Sequence, residues 1–143
     1  MPRLKKIMIV DDEANMRNLL FDILSGAGFK VSLARDGQDS LRQMKTQYFD
    51  LLVTDIHMPR LDGIGLLKKM KRLGRKERII VMTGDPFDPS SLEDTIPPVS
   101  IHLKKPFHID HFLEVVRSVF APNNGKKRPM KPVQRHKRLL NAV

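Results

Sequence analysis

Three carboxylates, one hydroxyl and one ammonium group each follow closely after a short apolar segment of this 143-residue sequence. The acids are Asp11, Asp12 and Asp55, the hydroxyl belongs to Thr83, and the ammonium group belongs to Lys105. If the apolar segments are neighbouring parallel strands, their carboxyl ends meet at one edge of a sheet. The pattern therefore predicts that the five side chains converge in one crevice.

A crevice that contains three carboxylates favours a bound metal ion. Carboxylates packed closely repel one another and resist ionising together. A hard divalent cation with oxygen ligands removes this conflict, and Mg²⁺ suits the site because it is usually shared between protein carboxylates and a phosphate. The chain has no cysteine and no spacing of histidines and acids typical of a zinc site. We therefore expect Mg²⁺.

The strands that must position these groups are visible as apolar blocks. Residues 7–10, 51–53 and 79–82 are continuously apolar, which predicts central strands covered on both faces. Apolar and polar residues alternate around 31–33 and 99–103, which predicts edge strands. Strands of both kinds precede the candidate site residues.

Segments with helical periodicity separate the strands. Apolar side chains recur at helical spacing in residues 16–24, 41–44, 66–73 and 109–120. With right-handed crossovers, the alternation of strand and helix predicts an α/β protein of the flavodoxin-like (βα)5 type, doubly wound, with a five-stranded parallel sheet in the order 2-1-3-4-5.

The fourth helix of this arrangement has little room. Prolines confine it to residues 89–96, about two turns, with Asp88 as the N-cap and a proline at the first helical position. Leu92 and Ile96 form its small apolar face, and Pro97 ends it. We therefore predict a short fourth helix.

Four stretches of the sequence resemble the signature segments of response-regulator receiver domains, and the resemblance extends over residues 5–120. Their joint spacing is specific, although each stretch alone is a weak signal. The stretches are IVDDE (9–13), VTDIHMPRLDG (53–63), VMTG (81–84) and KKPF (104–107).

This resemblance implies a role for each acid of the predicted crevice. Asp55 is implied as the phospho-acceptor, which attacks the phosphorus of a donor phosphohistidine and forms an acyl phosphate that water later removes. Asp11 and Asp12 are implied to hold Mg²⁺ together with Asp55 and the backbone carbonyl of His57. The chain would then assist its own phosphorylation and dephosphorylation and would not be an enzyme acting on other substrates.

The resemblance also assigns the remaining residues. Thr83 and Lys105 are implied to contact the phosphoryl oxygens, and the bond between Lys105 and Pro106 is cis in the family. Thr83 is also a switch residue, and His102 stands where the family usually has a switching Tyr or Phe. Phosphorylation would change the binding of a downstream protein, and the donor would be a sensor histidine kinase or a phosphotransfer protein of a two-component system.

A phosphatase of the haloacid dehalogenase type is an alternative function, because it also uses an aspartyl nucleophile. Phosphatases of that class carry an Asp-x-Asp pattern, whereas the residue two places after Asp55 in this sequence is His57. The nucleophile of that class is also expected on the first strand, whereas Asp55 follows the third.

The C-terminal segment suggests a further alternative, a transcription regulator or other nucleic-acid-associated protein. Residues 122–143 contain seven basic residues and no acid, while 19 basic and 16 acidic residues precede them. We therefore predict a receiver domain at 1–121 and a basic, disordered tail at 122–143. The tail is too short for a helix-turn-helix domain but could bind nucleic acid or an anionic membrane through charge. The residues before the tail have a net charge of only +3 and are expected to contribute little to such binding.

The sequence also predicts where the protein resides. The apolar run at 7–10 is cut off by three acids, which is too early for a signal peptide, and no run approaches the ~20 apolar residues of a transmembrane segment. The absence of cysteine suits a reducing compartment. We therefore expect a cytoplasmic protein.

Overall fold

Five parallel strands alternate with helices along residues 3–122, which are the residues that this computed structural model describes. The sheet order is β2-β1-β3-β4-β5, so the doubly wound order predicted from the sequence is confirmed. The two alternating segments form the edge strands, as expected. The strands are β1 (Lys6–Val10), β2 (Lys30–Ala34), β3 (Leu51–Asp55), β4 (Arg78–Thr83) and β5 (Ile101–Lys104).

Four α-helices and one 3₁₀ turn connect and follow the strands. Asp36 and Asp62 cap the second and third helices, accepting hydrogen bonds from the amides of Asp39 and Gly65 at 2.9 and 2.8 Å. Such caps satisfy amides that have no partner within the helix. The helices are α1 (Ala14–Gly26), α2 (Gly37–Met44), α3 (Gly63–Arg72) and α4 (Ile109–Phe120), and the 3₁₀ turn is Pro89–Leu92.

The central strands are buried on both faces, because successive side chains of a strand point to opposite sides of the sheet. Ile7 and Ile9 of β1 pack in a cluster with Phe112 of α4. Met8 and Val10, which alternate with them, pack in a second cluster that includes α3. This two-sided burial explains why the strand sequences are continuously apolar.

The prediction of a short helix after Asp88 is confirmed, but the element is a 3₁₀ turn of four residues, Pro89–Leu92, and not the two turns expected at 89–96. Asp88 is the N-cap as predicted, and its side chain accepts from the amide of Ser90 at 3.0 Å. The amide of Ile96 still bonds the carbonyl of Leu92 at 3.1 Å, and the Ile96 side chain is buried as expected.

Two local effects account for the shorter element. The hydroxyl groups of Ser90 and Ser91 donate to Asp88 at 2.6 and 2.9 Å, and such bonds compete with helical backbone pairing. Pro97 disfavours helical geometry at the residue before it. The segment left between these constraints has too few residues to offset the cost of helix nucleation.

Within residues 3–122, no helix is long and apolar enough to cross a membrane. The basic segment 122–143, for which the sequence predicts disorder, lies outside the described residues from position 123 onward.

Candidate functional site

The three acids of the predicted crevice lie together at the carboxyl ends of β1 and β3. Asp11 follows the last residue of β1, and Asp55 is the last residue of β3. The register of these strands pairs Val10 with Thr54, so the residues that follow them, Asp11 and Asp55, lie at the same edge of the sheet. One carboxylate oxygen from each of Asp11, Asp12 and Asp55 lies within 4.8 Å of the others.

The three acids differ in their exposure to solvent. Asp11 is completely buried, Asp55 is 9% exposed and Asp12 is exposed. Burial raises the pKa of Asp11 above its usual value, although the Glu13 amide at 2.9 Å and the nearby Lys105 favour its ionised form. The cluster therefore combines one desolvated carboxylate with one that water can reach.

Lys105 reaches the acids from the loop after β5. Its Nζ atom lies 3.0 Å from Oδ2 of Asp11 and 3.1 Å from Oδ2 of Asp55. Burial alone would lower the pKa of Lys105, but the charges and hydrogen bonds of the two acids outweigh it and raise this pKa. The peptide bond from Lys105 to Pro106 is cis, as the resemblance implied.

Asp55 is held by the backbone of the next residue and by the start of α3. Its Oδ1 accepts from the amide of Ile56 at 2.7 Å, while Oδ2 faces Lys105. Gly63 packs so closely that a Cβ there would overlap the carbonyl oxygen of Asp55 and lie 2.8 Å from Cα of Ile56. Gly63 closes the stretch VTDIHMPRLDG but was not among the site residues predicted from the sequence.

Thr83 ends β4 and is 1% exposed. The strand register pairs Asp55 with Met82, so Thr83 lies one residue beyond Asp55 at the same edge of the sheet. Its Oγ1 accepts from the amide of Asp85 at 3.2 Å, and its carbonyl accepts from the amide of Lys105 at 3.0 Å. Thr83 thus connects the lysine loop to the loop after β4.

The two candidate histidines lie in different surroundings. His57 follows β3 by two residues, and its exposed side chain places Nε2 2.6 Å from Oδ2 of Asp85. His102 lies on β5, is half-buried, and contacts the ring of Phe87 edge-on with centroids 5.3 Å apart. The structure therefore places His102 beside the loop that follows Thr83.

Comparison with known proteins identifies the family. The sequence profile of the response regulator receiver domain matches residues 7–117. The chain belongs to this family. Its function is accordingly phosphorylation-dependent signalling in a two-component system. This result, together with Asp55 on the third strand, favours the receiver interpretation over the phosphatase alternative.

Curated relatives of this receiver domain include regulators of different lengths. It is 38% identical over 112 residues to the transcriptional regulatory protein FixJ of Bradyrhizobium diazoefficiens, covering 78% of this chain and 55% of that protein. It is 32% identical over 113 residues to the sporulation initiation phosphotransferase F of Bacillus subtilis, covering 79% of this chain and 91% of that protein. The chain spans only 26% of the length of the transcriptional regulatory protein ZraR of Salmonella typhimurium, with 32% identity over 115 residues and 80% of this chain covered.

Solved structures show the same fold. The response regulator TrrA of Thermotoga maritima, solved in complex with Mg²⁺ and BeF, superimposes with a TM-score of 0.71 at 28% identity, covering 81% of this chain and 99% of that chain. A CheY-like receiver domain protein from Methanospirillum hungatei gives a TM-score of 0.73 at 26% identity, covering 82% of this chain and 94% of that chain.

Proposed function

We propose that Asp55 accepts a phosphoryl group from a sensor histidine kinase or a phosphotransfer protein in the cytoplasm. The observation that carries this proposal is the position of the Lys105 ammonium group within about 3 Å of both Asp11 and Asp55. A carboxylate next to a fixed cation and two further acids is suited to receive an anionic group in the presence of a metal ion.

The residues of the crevice fit Mg²⁺. Among residues 3–122, the only ion pairs of the three crevice carboxylates are those of Asp11 and Asp55 with the ammonium group of Lys105, so negative charge remains for a divalent cation to balance. Asp11, Asp12 and Asp55 would hold the ion, with the backbone carbonyl of His57 as a further oxygen ligand. When bound, Mg²⁺ would neutralise charge on the phosphoryl oxygens.

The chain's own residues carry the remaining steps of the proposed transfer. An oxygen of Asp55 forms a bond to phosphorus while the nitrogen–phosphorus bond of the donor phosphohistidine breaks. Lys105 balances the charge that arrives with the phosphoryl group, and the Thr83 hydroxyl donates to one of its oxygens. Attack by water on phosphorus later releases phosphate, so the chain acts as a reversible phospho-acceptor.

We propose that Thr83 and His102 transmit the phosphorylated state to a downstream protein. The Thr83 hydroxyl accepts from the amide of Asp85. Turning this hydroxyl towards a phosphoryl group would change that contact and move the loop that carries Phe87. Since Phe87 packs on His102, the displacement would reach the surface of β5.

The test of the phospho-acceptor is incubation with acetyl phosphate and Mg²⁺ followed by intact-mass measurement. The wild type should gain one phosphoryl group, and Asp55→Asn should gain none. Asp62→Asn is the matched control, because it changes a nearby carboxylate while asparagine caps a helix equally well. Stoichiometric phosphorylation of Asp55→Asn would show that the acceptor is another residue.

We also propose the division into a receiver domain at 1–121 and a basic tail at 122–143 that binds nucleic acid or an anionic membrane through charge. The names of FixJ and ZraR as transcriptional regulatory proteins favour a role near nucleic acid. A chain ending at Ala121 should keep its phosphorylation and show weaker binding to random-sequence DNA or anionic vesicles than the full chain. Equal binding by both chains would show that the tail does not contribute to binding.

A further inference from the structure

The basic residues of the receiver body are unevenly distributed. Between Asp62 and Glu77 the chain contains no acid and six basic residues, at positions 68, 69, 71, 72, 75 and 76. These residues lie on α3 and in the loop that follows it. The small net charge of residues 1–121 therefore conceals a strongly cationic face, which we call the α3 face and define by Lys68, Lys69, Lys71, Arg72 and Lys76.

Arg75 is not part of this face, because its guanidinium group is committed inside the protein. It bonds Glu77 and the carbonyls of Met44 and Gln47, and its side chain is 8% exposed. The five side chains of the α3 face are all exposed, and none of them forms an ion pair with an acid within residues 3–122. Their charges are available to an external anion.

A basic cleft lies between α3 and α2. Its volume is about 400 Å³, Leu41 contributes an apolar wall, and four cationic side chains surround it: Arg42, Lys45, Arg60 and Lys69. Arg42 and Arg60 also form ion pairs with Asp39 and Asp36. Lys45 and Lys69 form no ion pair with an acid among the described residues.

A second basic cleft lies at the other side of the C-terminal end of α3, and it too has a volume of about 400 Å³. Lys71, Lys76 and Arg78 line it, together with the Glu77 carboxylate, which is paired with Arg75. Pro97 and Pro98, directly after the segment 89–96 where a two-turn helix was expected, also line it. The α3 face is therefore a ridge with cationic clefts on both sides.

We propose that the α3 face binds the phosphate backbone of a nucleic acid, independently of sequence. A small anion would contact the cations of one cleft only, whereas cations on both sides of a helix about 15 Å long match an extended polyanion. An acidic protein is a poorer match, since lysine is depleted at protein interfaces and only Leu73 is a large exposed apolar residue on α3 or directly after it. Phosphates are bound mainly by such lysine and arginine side chains.

The experiment measures binding of the full chain to a fluorescent random-sequence DNA duplex by anisotropy, at several salt concentrations. Lys69→Glu with Lys71→Glu removes one cation from each cleft. The control pair is Lys30→Glu with Arg117→Glu, which makes the same change in net charge at exposed positions on β2 and α4. The neutral pair Lys69→Gln with Lys71→Gln repeats the test without introduced acids.

The Lys69→Glu and Lys71→Glu pair should weaken binding by about tenfold or more and lower the slope of log affinity against log salt by about 2. The control pair should weaken it by less than about threefold, and the glutamine pair should lie between them. None of the four positions contacts Asp55, so phosphorylation by acetyl phosphate should be unchanged in every variant, which separates this proposal from the phospho-acceptor.

Three outcomes would overturn the proposal. Equal losses in the α3 and control pairs would mean that net charge, with the C-terminal segment, accounts for binding. No binding of the wild type near 50 mM salt would mean that the face does not hold nucleic acid. Loss of binding to polyglutamate but not to DNA in the α3 pair would assign the face to an acidic protein.

Discussion

The ammonium nitrogen of Lys105 lies 3.0 Å from Oδ2 of Asp11, although 94 positions separate the two residues in the chain. The parallel sheet brings them together, because the loops that follow β1 and β5 open at the same edge. The same nitrogen lies 3.1 Å from Asp55. One lysine therefore links the buried acid of the cluster to the proposed phospho-acceptor.

Replacing Lys105 with alanine should slow phosphorylation by acetyl phosphate on the order of 100-fold, because a fixed cation aimed at developing charge is lost. Lys104→Ala is the matched control, since Lys104 is the neighbouring lysine but is exposed. Stopped-flow or intact-mass time courses measure both rates. Equal rates for the Lys105→Ala protein and the wild type would show that the ammonium group takes no part in transfer.

Asp12→Ala should separate metal binding from folding. Asp12 belongs to the acidic cluster but is exposed, so its removal should weaken Mg²⁺ binding by about tenfold while the metal-free free energy of unfolding changes by less than about 0.5 kcal/mol. Titration calorimetry with Mg²⁺ and urea melts in EDTA measure the two quantities. Glu13→Gln, which alters the next exposed acid outside the cluster, should leave both unchanged, and full Mg²⁺ affinity in Asp12→Ala would contradict the ligand assignment.

The sequence predicted the sheet well because its signals are local and repeated. The apolar block at 7–10 is a direct consequence of burial on both faces, and the acids that follow it mark the edge where function lies. The 3₁₀ turn at Pro89–Leu92 was not predictable in the same way, because it depends on hydroxyl groups that compete for Asp88. The contact between Phe87 and His102 joins a loop to a strand, and no spacing in the sequence reveals it.

Gly63→Ala should destabilise the protein by roughly 2–4 kcal/mol and reduce phosphorylation, because a Cβ would overlap the backbone of Asp55 and Ile56. Gly26→Ala is the control, since nothing lies within 4 Å of a Cβ at the end of α1. It should be neutral or stabilising by up to about 1 kcal/mol. Urea melts of both variants decide the matter, and comparable stabilities would mean that the start of α3 can move away from Asp55.

Asp50 should make stability depend on acid pH. Hydrogen bonds from the Arg3 guanidinium group, with a further bond from the Lys6 amide, lower the pKa of Asp50 from its ordinary 3.8 to about 2. The folded state therefore gains stability from ionised Asp50 above pH 3.8, and this gain is lost as pH falls towards 2. Urea melts in EDTA should show this loss in the wild type.

Asp50→Asn should be less stable than the wild type at pH 5 and should lose less of its stability between pH 4 and pH 2. Asp22→Asn, which changes an exposed carboxylate on α1, serves as the control and should follow the wild type. If Asp50→Asn shows the same pH dependence as the wild type, the Arg3 contact does not stabilise the folded state in solution.

Phosphorylation should alter the environments of Phe87 and His102 together, since their rings are in contact and the loop of Phe87 begins next to Thr83. NMR spectra recorded with and without Mg²⁺ and beryllofluoride should show shifts at both rings. Thr83→Ala should abolish the shifts at His102 while leaving those of a distant ring such as Phe49 unaffected. Persistence of the His102 shifts in Thr83→Ala would indicate another route.

The replacement of a full fourth helix by a 3₁₀ turn also changes how the molecule fluctuates. Between Asp85 and Pro98 only Ile96 and Pro97 are buried, while every residue of the central strand β3 is buried. Opening of this segment therefore exposes little apolar surface and costs less free energy than global unfolding. Its amides should exchange with solvent through local opening, so this part of the receiver can rearrange for a partner while the acidic crevice stays assembled.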